Sequence, residues 1–374
     1  MSEKIKVAIA GVGNCASALI QGINYYRHNN QDSLPGIMFK DIGGYGPTDI
    51  EVVAAFDVDE RKVGKPLHVA MFEEPNCCRV FHTQIDDKCT VQMGRVCDGV
   101  SLHMENFHDT INFKIAKEEP VDVAQALRDS GAQMLINYLP VGSQVGTEFY
   151  AQSAIDAGIP FLNCIPVFIA SNLEWEKRFI DAGLPLIGDD MRSQVGASIL
   201  SQVIQELAFD RGCKVKFHQQ LNVGGNTDFA NMMNPNRLSS KKISKENVIR
   251  AQNDIRGIPM EKDTLFAGPS TFIPYLKDNK VAYFNVILES FGGAEITVDI
   301  KLSVQDSENS AGVVIDAIRY LKVAQELGIK GSLRGPSAWT QKTPPMQMMY
   351  SEAKAECEYL AAREIPTYYL TNEF

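Results

Sequence analysis

Two sets of residues in this sequence have types and spacings that could do chemistry. The first is Gly11-Val12-Gly13, between an apolar, β-rich run at 5–10 (IKVAIA) and a helical pattern that begins at Asn14. Glycines at such a junction let the backbone approach a pyrophosphate, and the helix N-terminus offers free N–H groups to it. Asp57 ends the next buried-looking run, EVVAAFD at 51–57. A carboxylate there can bind both hydroxyls of a ribose, and its charge repels the extra phosphate of NADP. The motif departs from G-x-G-x-x-G at position 16, which is Ala. A lone G-x-G is often just a tight strand–helix turn; strand, glycines, helix and strand-terminal Asp together predict a dinucleotide site that takes NAD.

The second set is cationic. Lys241 and Lys245 lie four apart in Ser240-Lys241-Lys242-Ile243-Ser244-Lys245, so a helix sets them on one face. Lys280 stands at the start of a hairpin pattern and Lys342 in AWTQKTPP. Any one of them alone reads as a solvated surface charge. Asp306, after a strand and before a helix, reads alone as a helix N-cap. Asn226 and Asp228 belong to a polar loop, NVGGNTDF at 222–229, that follows an apolar strand. The stretch 188–196 (GDDMRSQVG) is a strand-to-helix junction whose N–H groups, with Ser193 and Arg192, could hold a phosphate or simply cap the helix.

The elements that must position these groups alternate. After the strand at 51–57 come strand signals at 133–138, 160–164 and 185–188, with helical patterns at 143–157, 168–182 and 194–209. Short continuous apolar strands between helices predict an α/β fold, a Rossmann-type doubly wound parallel sheet with helices on both faces. The period changes near residue 214. Residues 215–223 and 281–304 alternate in twos, the latter splitting at Phe291-Gly292-Gly293 as a long hairpin, and a largely antiparallel sheet is expected over about 210–305. Helices at 309–327 and 351–364 could return to the first sheet. The expected division is 1–209, 210–305 and 306–374.

Composition narrows the function class. The 374 residues are 45% hydrophobic and 22% charged, with 36 Lys+Arg against 46 Asp+Glu and a net charge of −10. That opposes a general nucleic-acid binder, yet a locally basic pocket for a small anionic substrate remains compatible with it. No run approaches the ~20 apolar residues of a membrane helix. Eight cysteines without a C-x-x-C spacing, and no leader-like N-terminus, lead us to expect a cytoplasmic, reduced protein without a membrane partner.

Several separate motifs resemble one family, myo-inositol-1-phosphate synthase (inositol-3-phosphate synthase) of the short bacterial and archaeal type. They are GVGNCAS at 11–17, AAFDVD at 54–59, YLPVGS at 138–143, GDD at 188–190, SQVGA at 193–197, LNVGGN at 221–226, SKKISK at 240–245 and QDS at 305–307. The intervals of thirteen from Asp228 to Lys241 and twenty-six from Lys280 to Asp306 also match the family. The motifs run over nearly the whole chain. The resemblance implies that the 210–305 region is an inserted α+β catalytic and oligomerisation domain, and that the protein is a homotetramer.

It further implies the conversion of D-glucose 6-phosphate to 1L-myo-inositol 1-phosphate with NAD regenerated. Oxidation at C5 acidifies C6, the resulting enolate closes the ring onto the C1 aldehyde, and C5 is reduced again. Lysines suit this chemistry because ammonium groups stabilise the oxyanions at C5 and C1 and hold the phosphate. A lysine crowded by others loses its proton more easily and can serve as acid and base. On the family match, Lys241, Lys245, Lys280, Lys342 and Asp306 are catalytic, with Lys241 the expected proton shuttle. Gly11, Gly13, Asn14, Cys15, Asp57, Tyr150, Ser193, Asp228 and Lys241 would hold the cofactor. Ser193, Gln194, Asn226, Lys245 and Lys280 would bind the substrate or its phosphate. The loop at 28–50 and the segment at 232–260 are candidates for closing over the substrate.

Some family members are helped by a divalent cation or ammonium, which would be an active-site ion. No metal is expected from Cys77, Cys78, His82, Cys89, Cys97, His103 and His108, whose spacings match no common zinc motif. Two rival readings share the cofactor domain: an ordinary NAD-linked dehydrogenase that releases an oxidised product, and a catalytically dead NAD-sensing protein. The second would be expected to lack the lysines.

Overall fold

The computed structural model describes residues 4–29, 33–87, 89–366 and 369, except for the side chains at 238–240 and 242. Seven parallel strands form the larger sheet. In chain order they are β1 (Ile5–Ala10), β2 (Ile50–Asp57), β3 (Val91–Met93), β4 (Met134–Asn137), β5 (Phe161–Asn163), β6 (Pro185–Ile187) and, from far down the chain, β11 (Gly331–Ser332). Their spatial order is β11-β6-β5-β4-β1-β2-β3. The order reverses between β1 and β4, so the loops leaving these strands part and open a crevice at their C-terminal ends.

The continuous apolar runs follow from burial on both faces. In β1, Ile5, Val7 and Ile9 enter one core with α1 (Asn14–His28) and α9 (Asp306–Glu326). Ala8 and Ala10 enter the other, against α3 (Val123–Ser130), α4 (Gln144–Ala157) and α5 (Leu173–Asp181). The stripe Ala16, Leu19, Ile20 and Ile23 of α1 is wholly interior, and each large aliphatic side chain so buried stabilises the fold by about 1.5–3 kcal/mol. The short α2 (Leu67–Ala70) and the C-terminal α10 (Arg334–Thr340) and α11 (Tyr350–Ala361) also pack into the first core.

The second sheet has the order β10-β9-β7-β8, from β7 (Lys214–Gly224), β8 (Leu265–Phe272), β9 (Asn279–Glu289) and β10 (Glu295–Gln305). The expected hairpin is β9–β10, paired in register from Asn279–Gln305 to Glu289–Glu295. The unexpected member is β8, which runs parallel to β7 and makes the sheet mixed. α6 (Ala197–Asp210), α7 (Thr227–Asn231) and α8 (Pro235–Ile255) belong to this half of the molecule. The sequence reading placed α6 with the first sheet, but its Ile204, Ala208 and Phe209 pack with Val215, Ile249 and Val286. Among the described residues, no helix is long and apolar enough to cross a membrane.

The long connection before β2 is less free than its composition implies. Asn30, Gln31 and Asp32 lie outside the described residues. Farther on, fully buried Arg319 of α9 reaches Phe39 O at 2.8 Å and Tyr45 O at 3.1 Å and pairs with Asp316. Residues 36–46 are thereby docked onto α9, which corrects their candidacy as a closing flap.

Candidate active site

A cavity lies at the crevice between β1 and β4 and continues toward the second sheet. Gly11 and Gly13 line its floor with Asn14, Cys15, Asp57 and Tyr150. Gly11 has φ +94°, and a Cβ there would stand 2.7 Å from the Tyr138 carbonyl oxygen, so this turn requires glycine. Gly13 is different: an added Cβ would meet nothing within 4 Å. The folded chain alone does not demand glycine at 13, and the open space in front of the α1 N-terminus suits a close-lying pyrophosphate. Asp57 Oδ2 accepts the Val12 N–H at 2.7 Å, while Oδ1 accepts those of Val58 and Asp59 at 2.7 and 2.9 Å. This pins the carboxylate at the cavity edge with acceptor capacity remaining. Asn14 Oδ1 accepts the Cys77 backbone N–H at 2.9 Å, tying that part of the chain to the glycine loop. Burial, reinforced by Asp278 and Asp306, pushes the Cys15 thiol up to about 12, so it stays neutral. The residues present therefore fit a dinucleotide.

The lysines converge at the other end. Their hub is Asp190, fully buried and at φ +64°, in the junction after β6. Its Oδ1 accepts from Lys241 Nζ and Lys342 Nζ, both at 2.9 Å, and its Oδ2 from Ser244 Oγ at 2.7 Å. Lys342 is delivered by backbone pairing, its N–H to Asp190 O at 2.7 Å across 152 residues of sequence, and its Nζ also reaches Met191 O at 2.7 Å. Lys241 and Lys245 come from one face of α8, as their spacing predicted, and Ser244 of the same helix joins them at Asp190. Lys280, at the start of β9, pairs with Asp306 at the start of α9. Asp306 is not the N-cap; that is Gln305, and the Asp306 side chain is engaged by the lysine.

The electrostatics separate the four lysines. Burial favours a neutral Lys241, but Asp190, Asp228 and Asp306 outweigh it and hold the ammonium charged above the usual lysine range. Lys241, the proton shuttle expected on the family match, is thus held in its charged form by carboxylates, Asp190 foremost. Lys245 is the group pushed far down, by burial and then by Lys280, Lys241 and Lys342. It is 8% exposed and, among the described residues, its amine meets no hydrogen-bond acceptor. Burial lowers Lys342 to about 8 against the pull of Asp190. Two ammonium groups hold Asp190 below the carboxylate range despite burial, and lysines, Lys280 first, do the same for Asp306. Burial raises Asp228, and burial with Asp306 raises Asp278 to about 6.

Ser193, Asn226 and Asp228 also line the cavity. Asn226 caps α7 through Phe229 N–H at 3.2 Å and donates to Asp278 at 3.2 Å. Two expectations fail at the 188–196 junction. Gln194 turns outward, its amide on Gly36 O and its N–H on Asn309 O at 2.7 Å. Arg192 is buried and engaged by Gln341 O at 2.6 Å and Gln202 Oε1 at 2.7 Å. Of the cysteine- and histidine-rich stretch, His82 pairs with His28 at 3.0 Å and His103 with Ser101 at 2.7 Å. Among the described residues, no group of three or more His, Cys, Asp or Glu is arranged to hold a metal ion. Sequence reasoning missed Asp190, Ser244, Asp278, Asn222 and Lys62 as members of this region. Asp190, Asn222 and Ser244 had a signal in their places within GDD, LNVGGN and SKKISK; Asp278 and Lys62 had none outside the fold.

The parallel sheet, its crevice and the converging lysines define an α/β protein of the Rossmann type with a cation-lined cavity. Comparison with known proteins names the family. A profile described as "Myo-inositol-1-phosphate synthase" matches residues 196–307. The chain is 44% identical over 364 residues to inositol-3-phosphate synthase of Mycolicibacterium smegmatis, covering 96% of this chain and 99% of that one. It is 45% identical over 361 residues to inositol-3-phosphate synthase of Corynebacterium glutamicum, covering 96% and 98%. The crystal structure of Ari2 superposes with a TM-score of 0.75 at 33% identity, covering 96% of this chain and 99% of that one. The chain belongs to the myo-inositol-1-phosphate synthase family and is an enzyme of inositol phosphate synthesis.

Proposed function

We propose that the protein converts D-glucose 6-phosphate to 1L-myo-inositol 1-phosphate, using NAD that is regenerated in each cycle. The observation that carries this reading is the set of four largely enclosed lysines, one pushed toward its neutral form and the other three paired with carboxylates, at the end of an elongated cavity. NAD, when bound, supplies a hydride acceptor for C5 and later the hydride donor.

Lys245 is the general base in this account. Its neutral amine takes the proton of the C5 hydroxyl, and its ammonium form returns a proton when C5 is reduced. Lys241 and Lys342, charged and aligned by Asp190, stabilise the oxygen that carries negative charge in the enolate and at C1 during ring closure. Lys280, oriented by Asp306, meets the phosphate together with Ser193 and the uncapped N-terminus of α6. Gly11, Gly13, Asn14, Cys15, Asp57, Tyr150, Asn226 and Asp228 surround the cofactor and its junction with the sugar. The burial of Lys245 excludes water that would otherwise reprotonate the enolate. Closure is assigned to the 232–260 segment, where Arg237 of α8 bridges to Val141 O at 3.1 Å and to Asp98 O.

β10 is an eleven-residue edge strand, largely exposed on one face, and Phe291 at its turn is 98% exposed. An open edge of this length calls for a covering partner, consistent with a homotetramer formed through residues 210–305; native mass spectrometry at micromolar concentration would give the tetramer mass. The reaction itself is tested with glucose 6-phosphate deuterated at C5. Because the hydride leaves and returns within one closed site, the product should keep the label at C5. Its loss to solvent or to the NAD pool would count against the cycle.

A further inference from the structure

Lys62 follows β2 in the turn that begins at Asp59, with its N–H on Asp59 O at 2.9 Å. Only 2% of it is exposed, yet it lines the same cavity as Gly13 and Asp57. Its Nζ donates to the Val12 carbonyl at 2.6 Å. Among the described residues, that oxygen is the one hydrogen-bond acceptor it meets. An ammonium has three N–H donors, and a buried cation left with one neutral acceptor is costly.

The neighbouring acids do not relieve it. Asp57 accepts three backbone N–H groups, and no hydrogen bond joins it to Lys62. Asp59 is gripped by Arg61 at 2.6 and 2.8 Å and by the Lys114 N–H at 2.9 Å. Asp57 and Asp59 favour the charged form of Lys62, but burial outweighs them and lowers it. The Val12 peptide is thus held from both sides, its N–H by Asp57 and its C=O by Lys62, and the two remaining ammonium donors have only the cavity in which to find an acceptor.

We propose that Lys62 is a cofactor-binding residue: it fixes the Gly11–Gly13 loop through the Val12 carbonyl and donates its free N–H groups to the anionic adenosine-diphosphate portion of the bound dinucleotide. The inference rests on reading the cavity as a dinucleotide site. It has a further consequence. An anion beside Lys62 favours its protonated form, so binding takes up a proton wherever the free protein holds Lys62 neutral. Affinity must then fall as pH rises through the Lys62 range.

The test is direct titration calorimetry of NAD and of ADP-ribose against the wild-type protein, Lys62→Met and Lys62→Gln, with no turnover involved. Lys62→Met keeps the apolar stem and removes the charge. Lys62→Gln keeps a donor for Val12 O, so it preserves the loop tie if the Met protein fails to fold. Both variants should lose roughly ten- to hundredfold in affinity for both ligands. The wild-type affinity should decline between pH 7 and 10, and that decline should vanish in the variants. Wild-type protein that binds neither ligand would overturn the dinucleotide reading itself. Wild-type binding that Lys62→Gln matches, or that stays constant over this pH range, would overturn the role of Lys62 alone.

Discussion

Asp190 pairs with two of the four lysines. Its carboxylate pairs with Lys241 and Lys342 but not with Lys245, one turn along α8, where burial and the three other lysines outweigh its pull. Lys245→Met should therefore lower kcat by about 10³-fold or more, in the range of a lost general base, while the NAD dissociation constant stays within a few-fold by calorimetry. Lys342, at about 8, carries its charge below that pH and loses it above. If that charge stabilises the reaction's oxyanion, kcat/KM falls on an alkaline limb near pH 8. Asp190→Asn removes the negative charge that raises Lys342, so in the residual activity the limb should move to lower pH; a limb that stays in place would remove Asp190 from this role. The two glycines should part company as well. Gly13→Ala meets no neighbour, so its Tm should hold within a few degrees while NAD affinity falls tenfold or more. Gly11→Ala, at φ +94° and against Tyr138 O, should lose stability outright.

Elements with a strong period were legible before any coordinates. β1, β2, α1, the β9–β10 hairpin and α9 begin and end within a few residues of their sequence-based bounds, because each buries a face whose repeat matches its geometry. β8 was not legible: LFAGPSTF is interrupted by Gly and Pro, and it is a strand because β7 pairs with it. α5 starts at Leu173 instead of 168 because Asn172 caps it, accepting from Glu174 and Trp175 N–H at 2.9 and 3.3 Å. In the site, the lysines and Asp306 were legible as a family pattern. Their electrostatic ranking was not, since Asp190 reaches Lys342 only through backbone pairing of distant segments. The loop before β2 shows the same limit. Its composition signals mobility, whereas Arg319 holds it. Arg319→Leu would strand the buried Asp316 carboxylate and release the Phe39 and Tyr45 carbonyls. It should lower the unfolding free energy by about 3–5 kcal/mol, read from urea denaturation.

At the scale of the molecule, both ends of the chain build one sheet and the middle builds the other. A cofactor-shaped floor and a lysine-lined end wall therefore face one another across a single cavity. The net charge of −10 is no guide to this interior. Four lysines converge on its end wall, where Asp190 and Asp306 pair with three of them and burial pushes the fourth, Lys245, down. The arrangement suits a reaction that borrows a hydride and returns it, since the oxidised sugar must stay enclosed between the two transfers. The most direct measurement is turnover of glucose 6-phosphate with NAD far below the enzyme's molar excess of substrate, following inositol phosphate and NADH together. The account predicts many equivalents of inositol phosphate per NAD with no accumulating NADH. Product formation that stops at one equivalent per NAD, with NADH rising in step, would contradict it.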